Sequence, residues 1–182
     1  ARAPATLIIT GQGERAFCAG TDLAEIRGMP ADKRLAKNKL ARDLFFRLSR
    51  SPVLSIAVIN GLAYGGGLEL AMACTFRIAP PDIRLALPEI KLGLIPAYGG
   101  TQFLPALVGA GRALDMMTSG EPISAQTAYQ IGLITRLARS GQPGNPSQPA
   151  APLTEQALEW AQQLAMVSRP AVDAIRLCTR HA

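Results

Sequence analysis

Residues 61–70 read "GLAYGGGLEL". Three glycines, Gly65, Gly66 and Gly67, stand directly before a segment with helical spacing, and one acid, Glu69, lies just inside it. Each glycine in a helix costs roughly 1 kcal/mol against alanine, so three at a helix start need a reason. One reason is a tight turn. The other is an anion site. The first N–H groups of a helix have no intrahelical partner and carry the positive end of its dipole, and glycine lets a ligand reach them. No GK[ST] follows and the spacing is not GxGxxG, so neither standard phosphate loop is present. The stretch alone leaves both readings open.

Working outward, "SPVLSIAVING" gives a continuous apolar strand over Val53–Ile59, as in a sheet covered on both faces. "TLIIT" (6–10) is a second strand, and "FRIA" (76–79) and "RLALPE" (84–89) are two more. Helices are predicted from Leu23 after the cap residues Thr21 and Asp22, over 32–49, through "LELAMACTF", and over "SAQTAYQI" with Ser124 as cap. "LITRLA" reads as a strand. Strands alternating with helices make the chain α/β. Residues 1–138 form the core. "RSGQPGNPSQPAAP" (139–152) is a Pro/Gly-rich loop, and 153–182 is a helical segment with Trp160 facing inward.

The chain has 182 residues, 48% of them apolar and 18% charged, which is globular composition. Three widely spaced cysteines form no CxxC pair, and the only histidine is His181. That argues against a disulfide framework, a histidine metal site, and Ser–His or Cys–His catalysis. No metal is expected. Reduced thiols suit the cytoplasm or mitochondrial matrix, and no apolar run reaches membrane-spanning length. The net charge of +6 suits an anionic partner or a solvated basic surface. Lys33, Arg34, Lys37 and Lys39 share the 32–49 helix with Leu35, Leu40, Leu44 and Phe45. This is read as an amphipathic surface helix, with RNA binding as the sharper alternative.

Two more segments bear on the glycine run. "AFCAGTD" (16–22) is another glycine corner, and "LPEIKLGLIPAYGGT" (87–101) supplies a second acid, Glu89. Glu69 and Glu89 both sit among apolar neighbours, where a carboxylate needs a partner or a task. Two such acids close together can hold a water and divide acid and base roles.

"ERAFCAGTDL", "AVINGLAYGGGLELAMACTFRIA", "LALPEIKLGLIPAYGGTQFLPALVG" and "SGEPISAQTAYQIGLI" follow in order over roughly residues 5–137. Together they resemble the enoyl-CoA hydratase/isomerase family, the crotonases. The resemblance implies a crotonase-like spiral of ββα units that binds an acyl-CoA thioester. It implies that the backbone N–H groups of Ala19 and Gly66 form an oxyanion hole, and that Glu69 and Glu89 are the catalytic pair. Gly20, Thr21, Asp22 and Gly65 would line the thioester arm, and Pro96 and Tyr98 the acyl pocket. Tyr98 departs from the small residue often found there; narrowing the pocket, adding a hydroxyl and lying on the surface stay open. Having both acids favours hydration of a trans-2-enoyl-CoA over double-bond isomerisation or other thioester chemistry.

No cofactor is implied, since CoA belongs to the substrate. A homotrimer or a hexamer built as a dimer of trimers is expected, and the basic helix has CoA phosphates as a further candidate partner. The family pattern also implies strands before "TLIIT" and helices after residue 182. The sequence therefore reads as truncated at both ends, with an inactive fragment as one alternative.

Overall fold

The computed structural model describes residues 6–139 and 151–179. Most of the Pro/Gly-rich loop and His181 lie outside the described residues. In chain order, β1 (Thr6–Thr10) and β2 (Ala16–Cys18) precede helices α1 (Leu23–Arg27) and α2 (Ala31–Arg50). Next come β3 (Leu54–Val58), β4 (Leu62–Tyr64) and α3 (Gly66–Ala73). Then follow β5 (Phe76–Ala79), β6 (Arg84–Ala86), a 3-10 turn at Pro88–Leu92, α4 (Gly100–Val108) and α5 (Ala110–Ser119). The described chain continues with β7 (Ile123–Ser124), α6 (Ala125–Gln130), β8 (Arg136–Leu137), α7 (Leu153–Ala165) and α8 (Arg169–Thr179).

The strands sort into two sheets, ordered β1-β3-β5-β8 and β2-β4-β6-β7. All pairs are parallel except β6 with β7. Each winding therefore gives one strand to each sheet before a helix returns the chain. The predicted strand at 53–59 appears as β3, and all five of its residues are buried. Its alternate residues face two cores, as the period of two requires. Ala57 joins the core beneath α3, α4 and α5, while Ile56 and Val58 meet Ala157 and Trp160 of α7.

Two polar devices hold the strand ends. Asn60 accepts from Gly11 N–H at 2.9 Å and donates to Gly11 O at 3.1 Å, which fixes the turn after β1. Arg77 of β5 is 4% exposed and pairs with no carboxylate among the described residues. It donates instead to Leu133 O at 2.6 Å and Cys74 O at 2.8 Å, with weaker contacts to Ala71 O and Met72 O. A cation thus covers the last carbonyls of α3, where the helix dipole is negative. Burial lowers its guanidinium to about 10, so it stays charged at neutral pH.

Several expectations shift. β4 was not foreseen, α3 starts inside the glycine run rather than after it, and the "LITRLA" strand shrinks to Arg136–Leu137. The α2 helix buries no residue: Leu35 and Leu40 are 71% and 72% exposed. Its inward contacts include Phe46 against Phe103, Phe45 against Tyr98, and Leu48 against the main core. Among the described residues, no helix is long and apolar enough to cross a membrane.

The α7 helix is held to the first sheet mainly by Trp160, which is 4% exposed and packs on Phe76 with ring centroids 5.0 Å apart. The Arg136 guanidinium lies over the same ring, 4.0 Å from its centroid. Trp160→Ala is expected to cost about 3–5 kcal/mol, read as a lower midpoint in urea unfolding followed by circular dichroism. An unchanged midpoint would show that α7 does not contribute to the core.

Candidate active site

The site forms where α3 begins. Gly65 has φ +52, the left-handed region that favours glycine, and its N–H donates to Ala86 O at 3.0 Å. This turn sends the chain from β4 straight into α3. At Gly67 a Cβ would stand 2.0 Å from Cys18 O, so only glycine lets the helix sit on the end of β2. The second glycine corner comes to the same place. A Cβ on Gly20 would lie 2.8 Å from Tyr64 O and 3.2 Å from Gly66 N. Gly66 is the first helical residue, so its N–H has no intrahelical partner.

Glu69 follows one turn later, on the inner face of α3, and is 1% exposed. Its Oε1 accepts from Tyr98 N–H and Gly100 N–H, both at 2.8 Å. These donors lie at the start of α4, whose positive end adds to them. Burial nevertheless dominates and pushes the carboxyl up to about 7, against the two hydrogen bonds, with the charge of Glu89 adding to the rise. Glu89 sits in the 3-10 turn after β6 rather than in a strand. Its Oε1 would lie 3.0 Å from a Cβ on Gly65, and its Oε2 is buried without a hydrogen-bond partner. Burial holds it above the usual carboxylate range too.

Both acids open on one cavity of about 480 Å³, shared with Ala19, Gly20, Thr21, Gly65, Gly66 and Tyr98. The sequence-predicted site residues therefore come together, with two exceptions. Asp22 is exposed and caps α1, accepting from Ala24 N–H at 2.8 Å. Pro96 is buried behind the lining, against Gly100. Leu92, Leu94 and Ile95, which were not foreseen, complete the walls as an apolar lip, and Arg34 and Lys37 of the basic helix join them as cations. Lys37 pairs with Glu25 at 2.5 Å, and that hydrogen bond raises its pKa. The Gly100 donor had no sequence signal, because a backbone N–H is carried by every residue type but proline.

Chemically, the arrangement offers an electropositive helix start for a developing oxyanion and two buried carboxyls to exchange protons beside it. Among the described residues, no cluster of three or more His, Cys, Asp or Glu is placed to hold a metal ion.

A family model described as enoyl-CoA hydratase/isomerase matches residues 3–181. A probable enoyl-CoA hydratase of Bacillus subtilis is 46% identical over 133 residues, covering 71% of this chain and 50% of that protein. A crotonyl-CoA hydratase of Syntrophomonas wolfei is 40% identical over 133 residues, with 73% and 51% covered. The chain thus spans about half the length of these curated relatives. The crystal structure of an enoyl-CoA hydratase from Bacillus anthracis superposes with a TM-score of 0.84 at 40% identity, over 94% of this chain and 62% of that one.

The raised carboxyl of Glu69 has a consequence for stability. The folded chain holds this proton up to about 7, whereas the unfolded chain releases it near 4.5. Between those values the folded form binds more protons, so stability falls as pH rises. Glu69→Gln keeps an oxygen acceptor for Tyr98 and Gly100 and has no proton to lose. It is expected to gain on the wild type by roughly 3 kcal/mol between pH 4 and 8. Parallel melting curves for the two proteins across that range would refute this assignment.

Proposed function

Because the chain belongs to the enoyl-CoA hydratase/isomerase family, we propose that it binds an acyl-CoA thioester and hydrates a trans-2-enoyl group. The observation that carries the reading is the acid pair. Glu69 is anchored by two N–H donors, and Glu89 beside it has a buried, unpartnered oxygen, both opening on the cavity at the start of α3.

In this reading the thioester carbonyl accepts from the N–H groups of Ala19 and Gly66. Water held between Glu69 and Glu89 adds its oxygen to Cβ and gives a proton to one carboxylate. The electron pair of the double bond moves toward the carbonyl, and charge grows on an oxygen facing two donors and a helix start. Losing one such donor typically costs ~2.7–4 kcal/mol in the transition state. The other carboxyl then protonates Cα, so the sum is one water added. The acid and base roles are assigned to the pair rather than to either residue alone. Arg34 and Lys37 at the cavity wall suit the phosphates of CoA. CoA is part of the substrate, and the chemistry calls on no cofactor or metal. Leu40 and Leu44 of α2 are exposed and lie outside that cavity's lining, which supports burial against another subunit, and a homotrimer or a dimer of trimers is the proposed assembly.

Crotonyl-CoA is expected to lose its enoyl absorbance in the presence of the protein and gain the mass of water. Glu69→Gln and Glu89→Gln should each lower kcat by about a hundredfold or more. A product of unchanged mass with a moved double bond would favour isomerisation. Full turnover in both variants would overturn the mechanism.

A further inference from the structure

Tyr98 touches both halves of the reaction centre, yet hydration gives its phenol no task. Its backbone N–H holds Glu69 Oε1 at 2.8 Å. Its ring lies so close to Gly66 that a Cβ added there would stand 2.8 Å from a ring carbon. The hydroxyl is 2.6 Å from Thr21 Oγ1, and the ring meets Phe45 of α2 edge-on, with centroids 5.8 Å apart at 89°. Three contacts, on the β2–α1 corner, the start of α3 and α2, hold one half-buried side chain in place, while its backbone is tied to the inner acid of α3.

These contacts decide where a substrate chain can run. If the carbonyl sits at Gly66 and Cβ faces Glu69, the reacting carbons lie between two points that Tyr98 itself touches. The ring is then their nearest wall, and Phe45 stands behind it. A phenol pinned by a hydrogen bond at its far end and an aromatic edge at its side cannot swing away without losing both. We propose that Tyr98 is a specificity-determining residue that ends the acyl pocket and restricts the chain to short 2-enoyl groups. The inference rests on the acyl-CoA reading above. Removing the ring extends the cavity toward Phe45 of α2, which gives a longer tail an apolar surface beyond the lip of Leu92, Leu94 and Ile95 that already lines it.

The test compares kcat/KM for crotonyl-CoA and for trans-2-decenoyl-CoA in the wild type, Tyr98→Ala and Tyr98→Phe. The wild type is expected to prefer the four-carbon substrate by about tenfold or more. Tyr98→Ala should move the ratio toward the ten-carbon substrate by about tenfold, while Tyr98→Phe, which keeps the ring, holds most of the wild-type preference. Thr21→Val removes the phenol's hydrogen bond without shortening the ring and should give an intermediate ratio. It serves as the second probe if Tyr98→Ala melts early. Calorimetry with butyryl-CoA and decanoyl-CoA, which do not turn over, reads the same selectivity as binding. Turnover of crotonyl-CoA with the same chain-length ratio in the wild type, Tyr98→Ala and Thr21→Val overturns the gate alone. Absence of both turnover and binding in a folded wild type overturns the acyl-CoA reading itself, and the gate with it.

Discussion

The closest constraint in the molecule is the seat of α3 on β2. A single methyl at Gly67 would stand 2.0 Å from Cys18 O, which no backbone tolerates without moving. That contact joins the two glycine corners, one after β2 and one after β4, and places Gly20 beside Gly66 N. It depends on the winding of the fold. β2 and β4 are neighbours because consecutive turns of the chain each give a strand to the same sheet. The cavity-facing helix start is therefore a product of topology rather than of the glycine motif alone.

The same seat makes the acid pair costly. Glu69 must lie on the inner face of α3 to reach the cavity, and there its burial outweighs two good hydrogen bonds. Natural cores rarely keep such a group without a function. The structure tolerates it through the 98–100 segment, whose N–H groups point at Oε1 and whose helix adds a second positive end. Glu89 receives less support, being left with one orphan oxygen. An orphan acceptor in a closed pocket is expensive, and at the mouth of a cavity it is a place for a proton or a water.

Much of this was legible in the sequence, and the parts that were not have physical reasons. β3 announced itself by a continuous apolar run, because both of its faces are buried. Glu69 and Glu89 stood out because acids among apolar residues are rare. β4 was missed because Leu62–Tyr64 is three residues between glycines, and only its neighbours β2 and β6 make it a strand. The exposure of Leu35 and Leu40 on α2 was missed because periodicity tells which face is apolar, not whether anything covers it. Asp22 was read into the site from its neighbours Gly20 and Thr21, yet its side chain is consumed by capping α1.

Arg77 shows how far the reach of the site extends. An eight-residue helix has a weak claim to a directed field, since its two ends are close together. Here the negative end is met by a buried guanidinium bonded to Cys74 O and leaning on the carbonyls of Ala71 and Met72. A second bond to Leu133 O ties that cation to the turn after α6, on the far side of the core. Arg77 thus meets three of the carbonyls at that end of α3 from inside the protein. The helix is held at one end by the close approach at Gly67 and at the other by Arg77. Rigid placement of a donor is what separates an oxyanion site from a solvated helix start, because a donor that must first reorganise loses its advantage in the transition state. A cation that does not itself line the cavity thus belongs to the same helix as Gly66, at its other end.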